Sequence, residues 1–349
     1  NPRIKVYTMA QVERVSGEPG NYTVSIKVKP RYVTGRRPVE QSHLDAVATE
    51  IPNDFNYGMN SRKALFLPHE TAFPMLHVLD KDKLSAEERD KLKAAAPADA
   101  IDLEMKEETL EEKVAAIIIA SGWRPYDVAR LDNLGGGKFA NVITNVMMER
   151  LASQTGPTAG KITRPSDGAE PATVAFVQCA GSRDENHLPY CSAVCCMGSL
   201  KQARYVRESL PNAKVTIFYI DIRTIGRFEK FYYDLLEDPN ISFIKGKVAR
   251  ITEDPATRNP IVEAEEVMPG EKLREQFDLV VLATGVVPSM VDSPIAGVAI
   301  KTDSDGFIVD SPNGGGIFAA GCAKRPLDVS RSVKDATAAV MKVVQLIRR

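Results

Sequence analysis

Two strongly apolar runs, VAAIIIAS at 114–121 and FDLVVLA at 277–283, constrain this chain most. Neither alternates with the period of two that a strand with one wet face shows, and both are too short for a buried helix. They read as strands covered on both faces, which belong in a parallel sheet flanked by helices. Each stops in a small-small-Gly turn, Ala120-Ser121-Gly122 and Ala283-Thr284-Gly285. Backbone can approach a ligand or a crossing chain closely only where no Cβ obstructs it, so both turns are candidate binding positions.

Around these runs the pattern is α/β. Residues 4–15 and 21–33 read as a hairpin about Gly17, Pro19 and Gly20, residues 34–80 as an irregular excursion, and 85–96 as a solvated surface helix opened by a Ser85/Glu88 capping box. The Gly- and Pro-rich stretch 152–172 marks a domain boundary. Beyond it, strand 173–178, helix 193–209, strand 214–219, helix 228–236 and short strands at 241–244, 246–251 and 261–267 read as a nucleotide-binding type of unit. GIFAAG at 316–321 supplies one more strand. In the last segment Val333, Ala336, Val340, Val343 or Val344, and Ile347 share one face of a helix expected to pack on the sheet. The expected fold is α/β with two Rossmann-like, dinucleotide-binding domains: a discontinuous one (1–172 and 276–349) and an inserted one (173–275). Asn1 opens the chain without Met and almost inside a strand, so further residues, with the discontinuous domain's first strand, are expected upstream.

Composition removes several functions. Lys plus Arg number 45 against 46 Asp plus Glu, which leaves no basic field for nucleic acid. The longest apolar run, 114–120, is far short of the ~18–20 residues that span a bilayer, so membrane contact is expected only through partners. Five cysteines, an odd number in a chain with no secretory leader pattern, point to a reducing, cytoplasmic setting.

Four of the five cysteines form a C-x11-C-x3-C-C string: Cys179, Cys191, Cys195 and Cys196. Four soft thiolates suit an iron-sulfur cluster. A dithiol/disulfide pair, a structural zinc and plain buried cysteines are the competing readings; zinc prefers tighter C-x2-C knuckles. Spacing puts Cys191 and Cys195 one helical turn apart, near a helix start whose positive end favours thiolates. Arg183 and Lys201 flank the string and read equally as groups that offset its charge or as exposed surface residues. The string stands where a dinucleotide-binding domain has its glycine-rich turn, and CAGSRD offers a single glycine there. No NAD(P) site is therefore expected, and Asp221, where a ribose-binding acid would stand, reads as a relic or a cap. His43, His69, His77 and His187 show no ligand spacing.

QCAGSRDENHLPYCSAVCCMGSLKQA from 178, GWRPYD at 122–127 and AGCAKRPLDVSRSVKDATAA at 320–339 together resemble the heterodisulfide reductase A family, within the flavin disulfide-reductase superfamily, over nearly the whole chain. The resemblance implies non-covalent FAD and a [4Fe-4S] cluster on Cys179, Cys191, Cys195 and Cys196. It places flavin contacts at Val12, Ala120, Ser121, Gly122, Trp123, Thr284, Gly285, Gly321, Cys322, Asp328, Val329 and Ser332. Cys322 stands where the superfamily usually has an Asp for the ribityl chain. No side chain is implied as acid, base or nucleophile. The family's ferredoxin-like insertion usually carries cysteines, whereas residues 34–80 carry none. That departure points to the quinone-linked branch of sulfate reducers, in which the implied partners are a flavin/iron-sulfur protein, a membrane protein and adenylylsulfate reductase, at the inner face of the cytoplasmic membrane. The alternatives are an NAD(P)H-dependent flavin disulfide reductase using Cys195 in its dithiol, and a scaffold protein without cofactors.

Overall fold

The computed structural model describes residues 1–291, 294–310 and 315–348. They fall into two compact units, Asn1–Ile117 with Ile295–Ile300, and Ile118–Pro294 with Lys301–Arg348.

In the first unit, β1 (Ala10–Glu18) and β2 (Asn21–Val28) form the expected hairpin. β1 starts six residues later than the apolar pattern implied, because Met9 takes a left-handed φ of 55° just before it. Next come α1 (Gln41–Ala46), β3 (Glu50–Pro52), β4 (Ser61–Lys63), β5 (Leu65–Phe66), β6 (Val78–Leu79), α2 (Ala86–Ala94) and β7 (Glu108–Val114), the last pairing with β2. The stretch expected to be an irregular excursion encloses its own core, in which Val33, Val47, Leu65, Leu79, Leu92 and Leu103 are buried. Ser85 and Glu88 form the predicted capping box, yet α2 is not simply a solvated helix. The buried Glu88 carboxylate also accepts from the Ala48 and Thr49 amides at 2.8 and 2.7 Å and from Thr49 Oγ1 at 2.8 Å. The Ser85 amide, against the opposing effect of burial, and the Thr49 and Ala48 donors hold this carboxyl down to about 2. A depressed folded pKa contributes stability that is complete above the unfolded value and is lost as pH falls from about 4.5 towards 2. Glu88→Gln is expected to cost about 1–3 kcal/mol at neutral pH and to flatten that acid limb. Urea titrations of both proteins from pH 7 to roughly 3 check this; superimposable pH profiles would show that Glu88 does not carry the effect.

The second unit starts with β8 (Ile117–Ile119) and β9 (Trp123–Pro125), followed by β10 (Val142–Thr144), α3 (Asn145–Ala152), β11 (Thr173–Ala180), α4 (Cys195–Ser209), β12 (Lys214–Tyr219), α5 (Glu229–Leu236) and β13 (Ile241–Glu253). It continues through β14 (Pro260–Glu266), β15 (Glu271–Gln276), β16 (Leu279–Thr284), β17 (Val286–Pro288), β18 (Ile317–Ala319) and α6 (Val329–Ile347). Seven strands form one sheet in the order β10-β16-β11-β12-β13-β14-β15. The first five are parallel and the last three make an antiparallel meander. This is the expected α/β, Rossmann-like sheet. Ala175, Val177, Val280 and Leu282 share a core with Val248, Ile251, Val262 and Ala264 of the meander, which folds over that face. Alternate residues Val174, Phe176 and Val281 are wholly buried under the face on which α3 and α4 pack.

Three expectations change. FDLVVLA is doubly buried as expected, but β16 sits between β10 and β11 in the large sheet and so joins the strands 173–178 and 214–219. The 114–121 run is divided: Val114 ends β7, and β8 is three residues long, pairs only with β18 among the described residues, and leaves Ile118 37% exposed. A continuous apolar run reports a preference for burial, and burial on both faces requires neighbours that β8 does not have. Finally, α6 does not sink its apolar face into the sheet; only Ala339 is buried on it, while Val333, Val340 and Ile347 are exposed. Among the described residues, no helix is long and apolar enough to cross a membrane.

Candidate functional site

The cysteine string begins at the end of β11, where the register against β16 shifts between Val177 and Ala180 and Cys179 takes a φ of 56°. Gly181 then passes under Tyr126, and a Cβ there would meet the Tyr126 ring at 2.8 Å. This lone glycine is required by packing. The following loop closes on itself through Leu188 N to Gly181 O (3.0 Å) and Arg183 N to Tyr190 O (3.1 Å). Its ends are tied by a buried hydroxyl pair, Ser182 Oγ to Ser192 Oγ at 2.8 Å, and Ser192 Oγ accepts from the Val286 amide at 3.0 Å. Cys179, Arg183 and Ala193 all take left-handed φ values of 56°, 56° and 62°. For non-glycine residues this costs roughly 1–2 kcal/mol each, and concentration of such strain in one loop marks functional sites.

All four cysteines line a single cavity with Ser182, Arg183, Ser192, Ala193, Asp221 and Arg223. Cys195 and Cys196 are the first two residues of α4, which starts without a side-chain cap. Cys191 lies before the helix, so it faces the cavity from the loop, correcting the expectation that it shares a helical face with Cys195. Its Sγ accepts from the Ala193 amide at 3.4 Å. The Cys195 thiol points to Thr284 O at 3.9 Å and the Cys196 thiol to Asp221 O at 3.8 Å. Burial, reinforced by the neighbouring sulfurs, pushes Cys179 up to about 11 and Cys195 up to about 12. Burial also raises Cys196. The rise at Cys195 is roughly 4 kcal/mol, more than the ~0.3–2 kcal/mol a helix N-terminus returns, so desolvation wins over the helix dipole there.

Four thiols on one cavity are the donor chemistry of an iron-sulfur cluster. Among the described residues no three His, Cys, Asp or Glu side chains converge as they would around a single metal ion. The five cysteines are free thiols. Next to Cys179, both amide atoms of the buried Gln178 have no hydrogen-bond partner among the described residues.

Residues expected at a flavin come from four chain segments. β8 pairs with β18, and Ala320 N donates to Ile119 O at 3.0 Å, which sets Ala120 and Ser121 beside the Gly321 turn. β9 pairs with β17, Trp123 opposite Pro288, and Ser289 N reaches Gly122 O at 3.3 Å. Ala120, Ser121 and Trp123 are exposed, and Gly122 (φ 71°) has open space where a Cβ would be. Gly321 abuts Ser332, its amide donates to Asp335 at 2.9 Å, and Asp328 caps α6 by accepting from Arg331 N at 2.7 Å. Val329 is exposed, and the Cys322 thiol donates to Leu327 O at 3.3 Å. Thr284 and Gly285 are buried against the cysteine loop, and Val12 lies on β1 of the other unit. Sequence reasoning missed Arg223 as a cavity residue, for which it offered no signal. It also undervalued Asp221, which binds both Arg183 and Arg223. Lys201 instead pairs with Glu149 at 2.9 Å, and His187 bonds Tyr126.

No protein-family model matches the chain. Curated proteins do. The CoB–CoM heterodisulfide reductase iron-sulfur A-type protein numbered 2 of Methanopyrus kandleri is 38% identical over 354 residues, covering 98% of this chain and 54% of that protein. The corresponding A component of the ferredoxin/F(420)H(2)-dependent CoB–CoM heterodisulfide reductase of Methanosarcina acetivorans is 36% identical over 360 residues, covering 99% of this chain and 45% of that protein. The chain thus has homologues along nearly its full length among heterodisulfide reductase A proteins, and it spans about half the length of these relatives. Among solved structures, the thioredoxin reductase of Lactococcus lactis aligns at TM-score 0.45 and 16% identity over 81% of this chain and 85% of that one.

Proposed function

We propose that this chain is an FAD- and iron-sulfur-dependent electron-transfer component of a multi-subunit oxidoreductase, with Cys179, Cys191, Cys195 and Cys196 holding a [4Fe-4S] cluster. The observation that carries the reading is the single cavity that all four thiols line. Support comes from the names of the homologues, which are A components of heterodisulfide reductases. When bound, the flavin exchanges electrons in pairs or singly and the cluster passes them one at a time. The chain's own work is positional. Cys195 and Cys196, each less than 10% exposed, exclude water from the cavity. The Thr284–Gly285 turn closes it from the β16 side, and the small residues Ala120, Ser121 and Gly122 leave room for the flavin. No residue is assigned as acid, base or nucleophile.

The finer reading is a relay between a membrane quinone-linked module and a soluble sulfur-metabolism reductase of the adenylylsulfate type, with the other subunits supplying further clusters and membrane attachment. Its support is the cysteine-free segment 34–103, which packs around aliphatic side chains. The test is iron, sulfide and flavin analysis with EPR on anaerobically prepared protein. About four irons per chain with a cluster signal is expected. Flavin without iron, and two thiols that titrate only after reduction, would move the chain to the dithiol reductases.

A further inference from the structure

Asp221 lies two residues beyond β12, where a dinucleotide-binding domain places the acid that bonds a ribose. Here that carboxylate is engaged by guanidiniums on two loops. Oδ1 accepts from Arg183 Nη1 at 2.7 Å, and Oδ2 accepts from Arg223 Nη2 at 3.3 Å. Arg183 belongs to the loop that begins at Cys179, and all three residues line the cysteine cavity. The Cys196 thiol in turn faces Asp221 O at 3.8 Å. Nearby, Asp184 pairs with Lys247 at 2.8 Å and Lys201, on α4, with Glu149, and the charged residues that line the cavity are Arg183, Asp221 and Arg223. Two guanidiniums and one carboxylate therefore leave an excess positive charge at the cavity rim.

We propose that Asp221 is a positioning residue that holds Arg183 and Arg223 against the cysteine cavity, where their charge stabilises the reduced form of the bound cluster and raises its reduction potential. The inference rests on the cluster reading above. Reduction adds one negative charge inside a low-dielectric cavity, and nearby fixed cations favour the state that carries it. The ribose-binding position of the fold has thereby been turned to a different use: a ribose could take Asp221 only by displacing two arginines.

The sign of one substitution separates positioning from plain electrostatics. Asp221→Asn removes a negative charge, so by charge alone it would raise the cluster potential. If Asp221 holds the arginines, their release lowers it. Midpoint potentials would be read by EPR-monitored redox titration of the full chain, prepared anaerobically with its cluster and matched for iron content. Asp221→Asn and Arg183→Gln are both expected to shift the midpoint to more negative values, with Arg183→Lys recovering part of the shift. Should Asp221→Asn lose its cluster, Arg223→Gln replaces it, with the same direction expected. A midpoint that rises or stays in place in a variant with full iron content overturns this inference and leaves the cluster reading standing. Wild-type protein that takes up no iron overturns both.

Discussion

Cys195→Ala is expected to reduce bound iron at least tenfold and to abolish the cluster signal, whereas Cys322→Ala leaves both intact. The two cysteines differ in placement. Cys195 is 7% exposed in the first turn of α4 and lines the cavity together with the other three thiols. Cys322 lies outside the cavity and spends its thiol on Leu327 O. A cluster missing one of four ligands must find an exogenous donor, and a site this buried offers little access to one. Iron and sulfide analysis beside the visible spectrum measures the contrast. Full iron content in Cys195→Ala, or equal loss in Cys322→Ala, would remove Cys195 from the ligand set. The apo proteins should stay folded, because β11 and β16 are fixed by pairing and core packing rather than by the cysteines.

How much of this was legible beforehand depended on where each residue's partners lie in the sequence. Strands β11, β12 and β16 announced themselves because continuous apolar runs are what central parallel strands require. β15, EKLREQ, carried no such pattern; it is an edge strand held by pairing with β14, so its side chains needed no apolar character. The cysteine string was visible as composition, but the place of Cys191 was not, since the helix begins only at Cys195 and i to i+4 spacing has no meaning outside a helix. Asp221 was misjudged for the opposite reason. Its nearer partner, Arg223, is two residues away, but Arg183 comes from the preceding loop, and only folding brings the three to one rim. The apolar face of α6 was correctly seen as a face, and periodicity alone does not say what covers it.

Gly285→Val is expected to destabilise the second unit by about 3–5 kcal/mol, combining overpacking with the loss of a buried hydrogen bond. Even the first added atom has nowhere to go: a Cβ on Gly285 would overlap Ser182 Oγ and stand 2.6 Å from Leu188 and 2.9 Å from Ser192 Oγ. Those two hydroxyls form the pair that closes the cysteine loop, and Ser192 also receives the Val286 amide. Making room therefore separates Ser182 from Ser192, and with them the neighbouring Cys179–Arg183 and Cys191–Ala193 segments. Gly285→Ala should show the same effect at smaller size, about 2 kcal/mol, again from overpacking. A lowered urea midpoint with an unchanged slope would assign the loss to the native state. Iron content adds a second readout, because stability lost elsewhere in the sheet would leave the cysteines in place, whereas stability lost here moves them. If Gly285→Ala matches the parent in both measurements, the turn after β16 is more plastic than its packing implies, and the small-small-Gly pattern there has to be explained by a ligand and not by the cysteine loop.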